Sequence, residues 1–174
     1  MKTIIKPTHT AVPFREPDLI VSKTDLKGRL TYVNEVFCKI SGYTEAELLG
    51  EPHSMIRHPD MPRAVFKLLW DTILAGREIF AYVKNMAKTG DYYWVLAHVT
   101  PSYDEMHRIQ GFHSNRRVPD PVIIENTIAP LYAEVLREEK KYANGKEELA
   151  AGFRFLTNFL QSRNTTYDAL IFSL

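Results

Sequence analysis

Three strand-like runs follow one another closely in the middle of the chain, and they leave it little freedom in how to fold. The runs are Glu78 to Asn85, Tyr92 to Pro101 and Ile109 to Asn115. The turns between them are too short for a crossover helix, so successive strands must be antiparallel. Residues 19–25 and 29–34 flank Gly28 and predict a further hairpin. We therefore predict an α+β fold with a five-stranded antiparallel sheet and helices on one face.

Short helices fill the interval between the hairpin and the three strands. Asn34 is placed to cap a helix from Glu35 to Ser41, which Gly42 would end. Thr44-Glu-Ala-Glu47 is a capping box that opens a second short helix. A third helix is expected from Met61, with Pro62 in its first turn. Its apolar residues suit one broad buried face. They are Ala64, Phe66, Leu68, Leu69, Ile73 and Leu74.

The prolines divide the chain into three parts. Residues 1–17 carry three prolines and predict an extended arm, and residues 18–118 form the main domain. Pro119 and Pro121 open a helical C-terminal extension, residues 119–174, with a helix over 122–142 that Pro130 should kink or split. Residues 149–160 form an amphipathic stripe. This stripe suits either packing on the same domain or a partner or dimer surface, and residues 144–174 either fold back or await a partner.

Composition excludes several function classes. A net charge of +1 gives no general electrostatic case for nucleic acid or for an anionic membrane. We find no run of membrane-spanning length and no secretory signal, which predicts a cytoplasmic protein, or a peripheral one held at the membrane through a receptor. The single cysteine, Cys38, fits a reducing compartment. There is no phosphate loop, nucleophile elbow or metal-ligand spacing of histidines, so we do not expect an enzyme.

The candidate site is the polar segment from Ser54 to Pro62. It holds Arg57, His58 and Asp60 between prolines, which does not build a core. Its charges are either solvated, with pairs worth little, or used to bind a polar ligand. Trp70 on the following helix is either a core residue or an aromatic wall, and Asn85 offers an amide that both donates and accepts.

The order of elements and several motifs resemble a PAS domain. The motifs are Tyr-Val-Asn-Glu-Val-Phe, Ser-Gly-Tyr-Thr-Glu-Ala-Glu-Leu-Leu-Gly and Lys-Asn-x-x-Lys-Thr-Gly-Asp-Tyr-Tyr-Trp. Pro-His-x-x-x-Arg-His-Pro-Asp-Met-Pro, followed by Phe66, Trp70 and Asn85, narrows the resemblance to the FAD-binding PAS domains of bacterial aerotaxis transducers. That resemblance implies a non-covalently bound FAD and redox sensing. The sequence Met55-Ile-Arg-His-Pro stands where light-sensing relatives hold a reactive cysteine, so a cysteinyl photocycle is not expected.

The resemblance also implies a role for each site residue. Trp70 and Phe66 would form a wall for the isoalloxazine ring, and Asn85 would meet its polar edge. Arg57 would reach the pyrophosphate and His58 the ribose or adenine. The remaining candidates are Asn34, which would cap a helix and face the pocket, His53, and Asp60, which would either cap the third helix or touch FAD.

The resemblance implies partners as well. We expect a stand-alone sensor that signals in trans to a membrane chemoreceptor containing a HAMP segment, with a homodimer possible and with no nucleic acid and no membrane insertion. Two other functions stay open at this point. One is a ligand-free PAS module for interaction or dimerisation, and the other is a haem-based gas sensor.

Overall fold

A five-stranded sheet forms the centre of the computed structural model, which describes residues 5–174. The strands are β1 Ile20–Thr24, β2 Leu30–Val33, β3 Ile79–Met86, β4 Tyr92–Tyr103 and β5 Ile109–Arg117. Their order is β2-β1-β5-β4-β3, and every neighbouring pair is antiparallel. The predicted α+β fold with an antiparallel sheet is confirmed.

The helices between the hairpin and β3 lie on the inner face of the sheet. They are α1 Glu35–Ser41, α2 Glu45–Leu48, a short 3₁₀ helix His53–Ile56 and α3 Arg63–Leu74. The capping predictions are confirmed, because the Phe37 N–H donates to Asn34 Oδ1 over 3.0 Å and both bonds of the capping box at α2 are present. The predicted buried face of α3 was wrong at its end, since Leu74 is 55% exposed.

The start of α3 also differs from the prediction. The helix begins at Arg63, Pro62 lies just before it, and the Asp60 side chain makes no capping bond. The Glu139 carboxylate performs that function from the C-terminal extension. It accepts hydrogen bonds from the backbone N–H groups of Arg63, at 3.0 Å, and Ala64, at 2.8 Å. A side chain 75 residues away in sequence therefore pairs with the N–H groups of the first turn, which a local side chain was expected to cap.

The extension wraps around the β3 edge of the sheet. It consists of α4 Pro121–Ile123, a π-helical turn Ile124–Ile128, α5 Ala129–Glu139, α6 Gly145–Ser162 and α7 Tyr167–Phe172. The wide turn lies just before Pro130, so the helix is distorted where Pro130 was predicted to kink or split it, but helical backbone continues through this turn. Part of the extension packs on the outer face of the sheet, where ring centroids lie 6.1 Å apart for Tyr132 and Trp94 and 4.9 Å apart for Phe172 and Phe80.

On the inner side of the same edge, α6 packs against α3. Residues 144–174 therefore fold back on the domain. Tyr132 hydroxyl donates to the Tyr82 carbonyl of the edge strand over 2.8 Å. An edge strand presents unpaired backbone groups that another chain could join, and this contact occupies one of them.

The N-terminal arm is extended over its described part, residues 5–17. Ala11 forms a parallel bridge with Tyr92, and the Thr8 N–H donates to the Gly90 carbonyl over 2.8 Å. Residues 1–4 of the predicted arm lie outside the described residues. Over the part of the chain that is described, no helix combines the length and apolarity needed to cross a membrane.

Candidate functional site

A cavity of about 310 Å³ lies between the inner face of the sheet and α3. Its volume falls at the small end of the range for ligand pockets, roughly 300–1,000 Å³. Side chains that alternate along β3, β4 and β5 form its floor, because successive residues of a strand point to opposite faces. The floor residues are Val83, Asn85, Ala97, Val99, Phe112, Ser114 and Arg116. Helix α3 supplies the opposite wall with Phe66, Leu69, Trp70 and Ile73.

Trp70 is fixed as an aromatic wall of this cavity. Its ring meets the Phe112 ring edge to face, with centroids 5.4 Å apart. The β1–β2 turn packs on the other side, at Gly28, where φ is +75°. A Cβ atom there would lie 2.9 Å from Trp70 Cζ2. Only glycine suits both this backbone conformation and this close approach.

Arg57 lies beside Asn85 at the rim. A backbone bridge joins the two residues, so the polar segment after the 3₁₀ helix is anchored to the edge strand. The Arg57 guanidinium carbon lies 3.6 Å from the centroid of the Phe66 ring, a close cation–π contact. Burial, together with the nearby charge of Arg63, lowers the pKa of Arg57.

Several buried polar atoms of the cavity lack a hydrogen-bond partner among residues 5–174. They are Arg57 Nε, Asn85 Nδ2, Ser114 Oγ and Arg116 Nη1. Asn85 is only 1% exposed and Ser114 8%. A buried polar group without a partner costs roughly 1–3 kcal/mol, and native structures hold few of them. Four such groups around one cavity point to a ligand that pairs with them.

Arg116 belongs to this polar set. It is 3% exposed, and its Nη2 donates to Ser22 Oγ over 2.7 Å and to His53 Nε2 over 2.6 Å. Burial lowers the pKa of Arg116 to about 10, which leaves it cationic at neutral pH. Burial and the charges of Arg116 and Arg57 hold the pKa of His53 well below its usual range, so its ring is neutral and can accept the bond.

The charge of the cavity lining has one sign. Lys27, Arg57 and Arg116 belong to it, and among the described residues it includes no Asp or Glu. Lys27 and Ser54 are exposed and mark the open side. A site with an apolar wall, hydrogen-bond donors and three cationic side chains in its lining suits a flat aromatic molecule that carries negative charge.

Five of the eight predicted site residues line the cavity. They are His53, Arg57, Phe66, Trp70 and Asn85.

The other three, His58, Asp60 and Asn34, do not line this cavity. The His58 ring is 2% exposed and accepts the Asp60 N–H over 3.1 Å, and Asp60 pairs with Lys84 over 2.6 Å on the outer side of the rim. Asn34 Nδ2 donates to the Leu19 carbonyl over 2.8 Å, and Asn34 Oδ1 accepts hydrogen bonds from two backbone N–H groups. These three side chains hold the fold in place around the cavity.

The contribution of β5 to the cavity was not predicted from the sequence. Phe112, Ser114 and Arg116 all line the cavity, whereas the predicted strand ends at Asn115 and leaves Arg116 outside it. The alternation from Phe112 through Ser114 to Arg116 was the available signal, because it puts an Arg on the same face as Phe112, and Arg is almost never fully buried unless paired. Nothing in the sequence indicated that Lys27 lies at the mouth of the cavity, since a lysine in a turn is most often solvated.

The described residues contain no group of three or more His, Cys, Asp or Glu side chains arranged to hold a metal ion. His53 is a lining residue, and its Nε2 already accepts from Arg116. Cys38 is free and half-buried, and it is not a lining residue.

Comparison with known proteins places this fold in a known family. A family described as "PAS fold" matches residues 30–115. The aerotaxis receptor of Escherichia coli is 41% identical over 126 residues, which are 72% of this chain and 24% of the receptor. The chain thus spans about a quarter of that relative's length.

Two solved structures share the fold. An RNA-binding light-oxygen-voltage receptor has a TM-score of 0.56 at 18% identity, covering 69% of this chain and 34% of that one. The LOV domain of a blue-light activated histidine kinase from Erythrobacter litoralis has a TM-score of 0.53 at 18% identity, covering 56% and 93%. At such identity the likeness extends to the fold alone.

Proposed function

Residues 30–115 form a PAS domain, and on that premise we propose that this chain is a redox sensor for aerotaxis that binds FAD in its cavity. The observation that carries the proposal is the set of four buried polar atoms around one cavity that have no partner among residues 5–174. The 41% identity to an aerotaxis receptor supports the signalling role. Bound FAD would supply a ring system that takes up and releases electrons.

The residues present fit a flavin. Trp70 and Phe66 offer flat apolar surface to an aromatic ring, while the Asn85 amide and the Ser114 hydroxyl can pair with its polar edge. A cavity of about 310 Å³ suits the ring system better than a whole dinucleotide. We therefore assign the phosphates to the open side, where Lys27 and Arg57 can form charge-assisted bonds with them.

The decisive experiment is reconstitution of the purified protein with FAD, FMN and riboflavin. We expect a yellow complex whose two-band spectrum is bleached by dithionite. FAD should bind more tightly than riboflavin, because only the phosphates reach the cations at the mouth. A colourless protein that takes up no flavin would sink the proposal, and a sharp Soret band would favour haem instead.

The two tryptophans provide a matched pair of variants. Trp70→Ala should lower flavin occupancy at least tenfold, because it removes the wall of the cavity. Trp94→Ala removes a tryptophan from the opposite face of the sheet, where it meets Tyr132, and should leave occupancy near that of the wild type. Equal loss in both variants would indicate general unfolding rather than a lost contact.

We further propose that the redox state reaches a membrane chemoreceptor that carries a HAMP segment on a separate chain. The Asn85 amide lies on the edge strand, and the bridge to Arg57 ties it to the segment that leads into α3. A change in its hydrogen bonding on reduction would therefore act on β3 and α3 together. Crosslinking to the receptor's cytoplasmic part, under air and with dithionite, tests this step. Identical crosslinking yields in both states would contradict it.

A further inference from the structure

Arg116 is a buried cation that the charges around it do not neutralise. Its Nη2 donates to two neutral acceptors, Ser22 Oγ and His53 Nε2, and the centroid of the Phe37 ring lies 5.2 Å from its guanidinium carbon. Its Nη1 has no partner among residues 5–174. Burying a charge without a counter-charge is costly, so a protein keeps such a group where a bound molecule supplies the opposite charge.

The other ionisable groups near Arg116 do not provide that charge. Around it, His53 lies in the 3₁₀ helix and Arg57 follows that helix, Lys27 is in the β1–β2 turn, and Tyr93 lies on β4. Three of these four groups are neutral or cationic in any protonation state. Burial raises the pKa of the fourth, Tyr93, and so keeps its hydroxyl neutral.

From this arrangement we propose that Arg116 sets the charge state of the reduced flavin, so that reduction delivers two electrons and only one proton to the ring. The inference rests on the proposed FAD binding and extends it. Two electrons come from dithionite in the test, and one proton comes from water and bonds to a ring nitrogen. The second ring proton is withheld, and the negative charge that remains on the flavin is balanced by the guanidinium group.

The neighbouring His53 and Ser22 act as positioning residues. They hold one end of the guanidinium group and leave Nη1 available for the ligand. Because the cation is present before reduction, it stabilises the reduced anion more than the oxidised, neutral ring. Reduced FAD should therefore bind more tightly than oxidised FAD, and the midpoint potential should be raised accordingly.

The test measures the midpoint potential of the FAD-loaded full chain against pH across the mildly acidic range, where a free reduced flavin takes both protons. The wild type should change by about 30 mV per pH unit, the value for one proton per two electrons. Arg116→Gln should change by about 59 mV per pH unit, since both protons are then taken up. It should also bind reduced FAD at least tenfold more weakly relative to oxidised FAD, which lowers the potential by about 30 mV or more.

Two further variants separate charge from structure. Arg116→Lys keeps a cation and should keep the wild-type slope. Arg117→Gln, at the next residue, which is exposed on the opposite face of β5, should leave both slope and potential unchanged.

A wild-type slope of about 59 mV per pH unit overturns the inference while leaving the proposed function standing. This outcome is measured on the wild type alone, so it does not depend on whether any variant folds. The same slope in wild type and Arg116→Gln overturns it as well. Failure of the wild type to bind FAD would overturn both the inference and the proposed function.

Discussion

At the scale of single residues, this domain keeps polar atoms that weaken it in the absence of a ligand. Ser114 Oγ is buried without a partner among the described residues, whereas Ser41 Oγ, fully buried on α1, accepts the Tyr43 N–H over 3.4 Å. The two serines thus have opposite expected effects on stability. A group that waits for a ligand costs stability, and a group that is paired contributes to it.

Ser114→Ala should therefore raise the free energy of unfolding of the flavin-free protein by about 1 kcal/mol, because it removes a buried hydroxyl that has no partner. The same change should weaken FAD binding. Ser41→Ala, the matched variant, should lower the free energy of unfolding instead. Urea denaturation of the flavin-free proteins measures both, and a destabilised Ser114→Ala would show that this hydroxyl has a partner within the protein.

The lowered pKa of His53 predicts how the free energy of unfolding depends on pH. Its pKa is lowered in the folded protein, so the unfolded chain binds a proton below about pH 6.5 that the folded protein does not. The contribution of His53 to the free energy of unfolding should be fully present above that pH. Below it, the free energy of unfolding should fall by up to about 1.4 kcal/mol per pH unit on account of this residue. Burial lowers the pKa of His58 too, so two histidines contribute to this loss.

His53→Gln keeps an acceptor for Arg116 and should remove one of the two protons from the acid dependence. Urea denaturation at a series of pH values measures the slope. His9→Gln, an exposed histidine on the arm, provides the control and should leave the slope as in the wild type. An unchanged slope in His53→Gln would mean that this ring is protonated in the folded protein.

At the scale of elements, α3 depends on the C-terminal extension for the start of its first turn. The Glu139 carboxylate is fully buried and accepts the N–H groups of Arg63 and Ala64. Gly152 on α6 leaves it room, because a Cβ atom there would collide with Glu139 Cγ. A second contact holds the same end, with Arg63 Nη1 at 2.8 Å from Glu148 Oε2.

Two substitutions at this contact should be destabilising for different reasons. Glu139→Ala leaves the buried N–H of Ala64 and the part-buried N–H of Arg63 without their acceptor, at a cost of roughly 1–3 kcal/mol. Gly152→Ala forces a methyl group against a carboxylate that two hydrogen bonds hold in place, at a similar cost of about 1–3 kcal/mol. Urea denaturation measures both. Glu138→Ala removes only a half-exposed pair with Lys141 and should cost less than about 1 kcal/mol, so an equal loss there would argue against a specific cap.

Some elements could be predicted from sequence better than others. The difference lies in how far apart along the chain the residues are whose contacts fix the ends of each element. Local signals placed α1, with Asn34 and Gly42 at its ends, and the capping box of α2. The predicted start and cap of α3 were wrong, because Glu139, far along the chain, caps the helix in place of Asp60. Alternation along the strands predicts which side chains share a face, but only the packed structure shows that Arg116 faces a cavity without a carboxylate.

At the scale of the whole molecule, the cavity and the extension share α3. That helix supplies Phe66, Leu69, Trp70 and Ile73 to the cavity, and its first turn is held by Glu139. A ligand that binds only the folded state stabilises it by about 2.7 kcal/mol at a hundredfold excess over its dissociation constant. Because α3 is common to both parts, that stabilisation should extend past the cavity into α5 and α6.

Amide hydrogen exchange of the full chain, with and without FAD, measures this coupling residue by residue. FAD should slow exchange at the first turn of α3 and along α5 and α6, on the far side of that helix from the ligand. Glu139→Ala should still bind FAD, since Glu139 is not a lining residue, but its extension should no longer gain protection. Protection confined to the cavity in the wild type would show that the extension does not respond to the ligand. Protection of the extension that persists in Glu139→Ala would assign the coupling to β3, where Tyr132 binds the Tyr82 carbonyl.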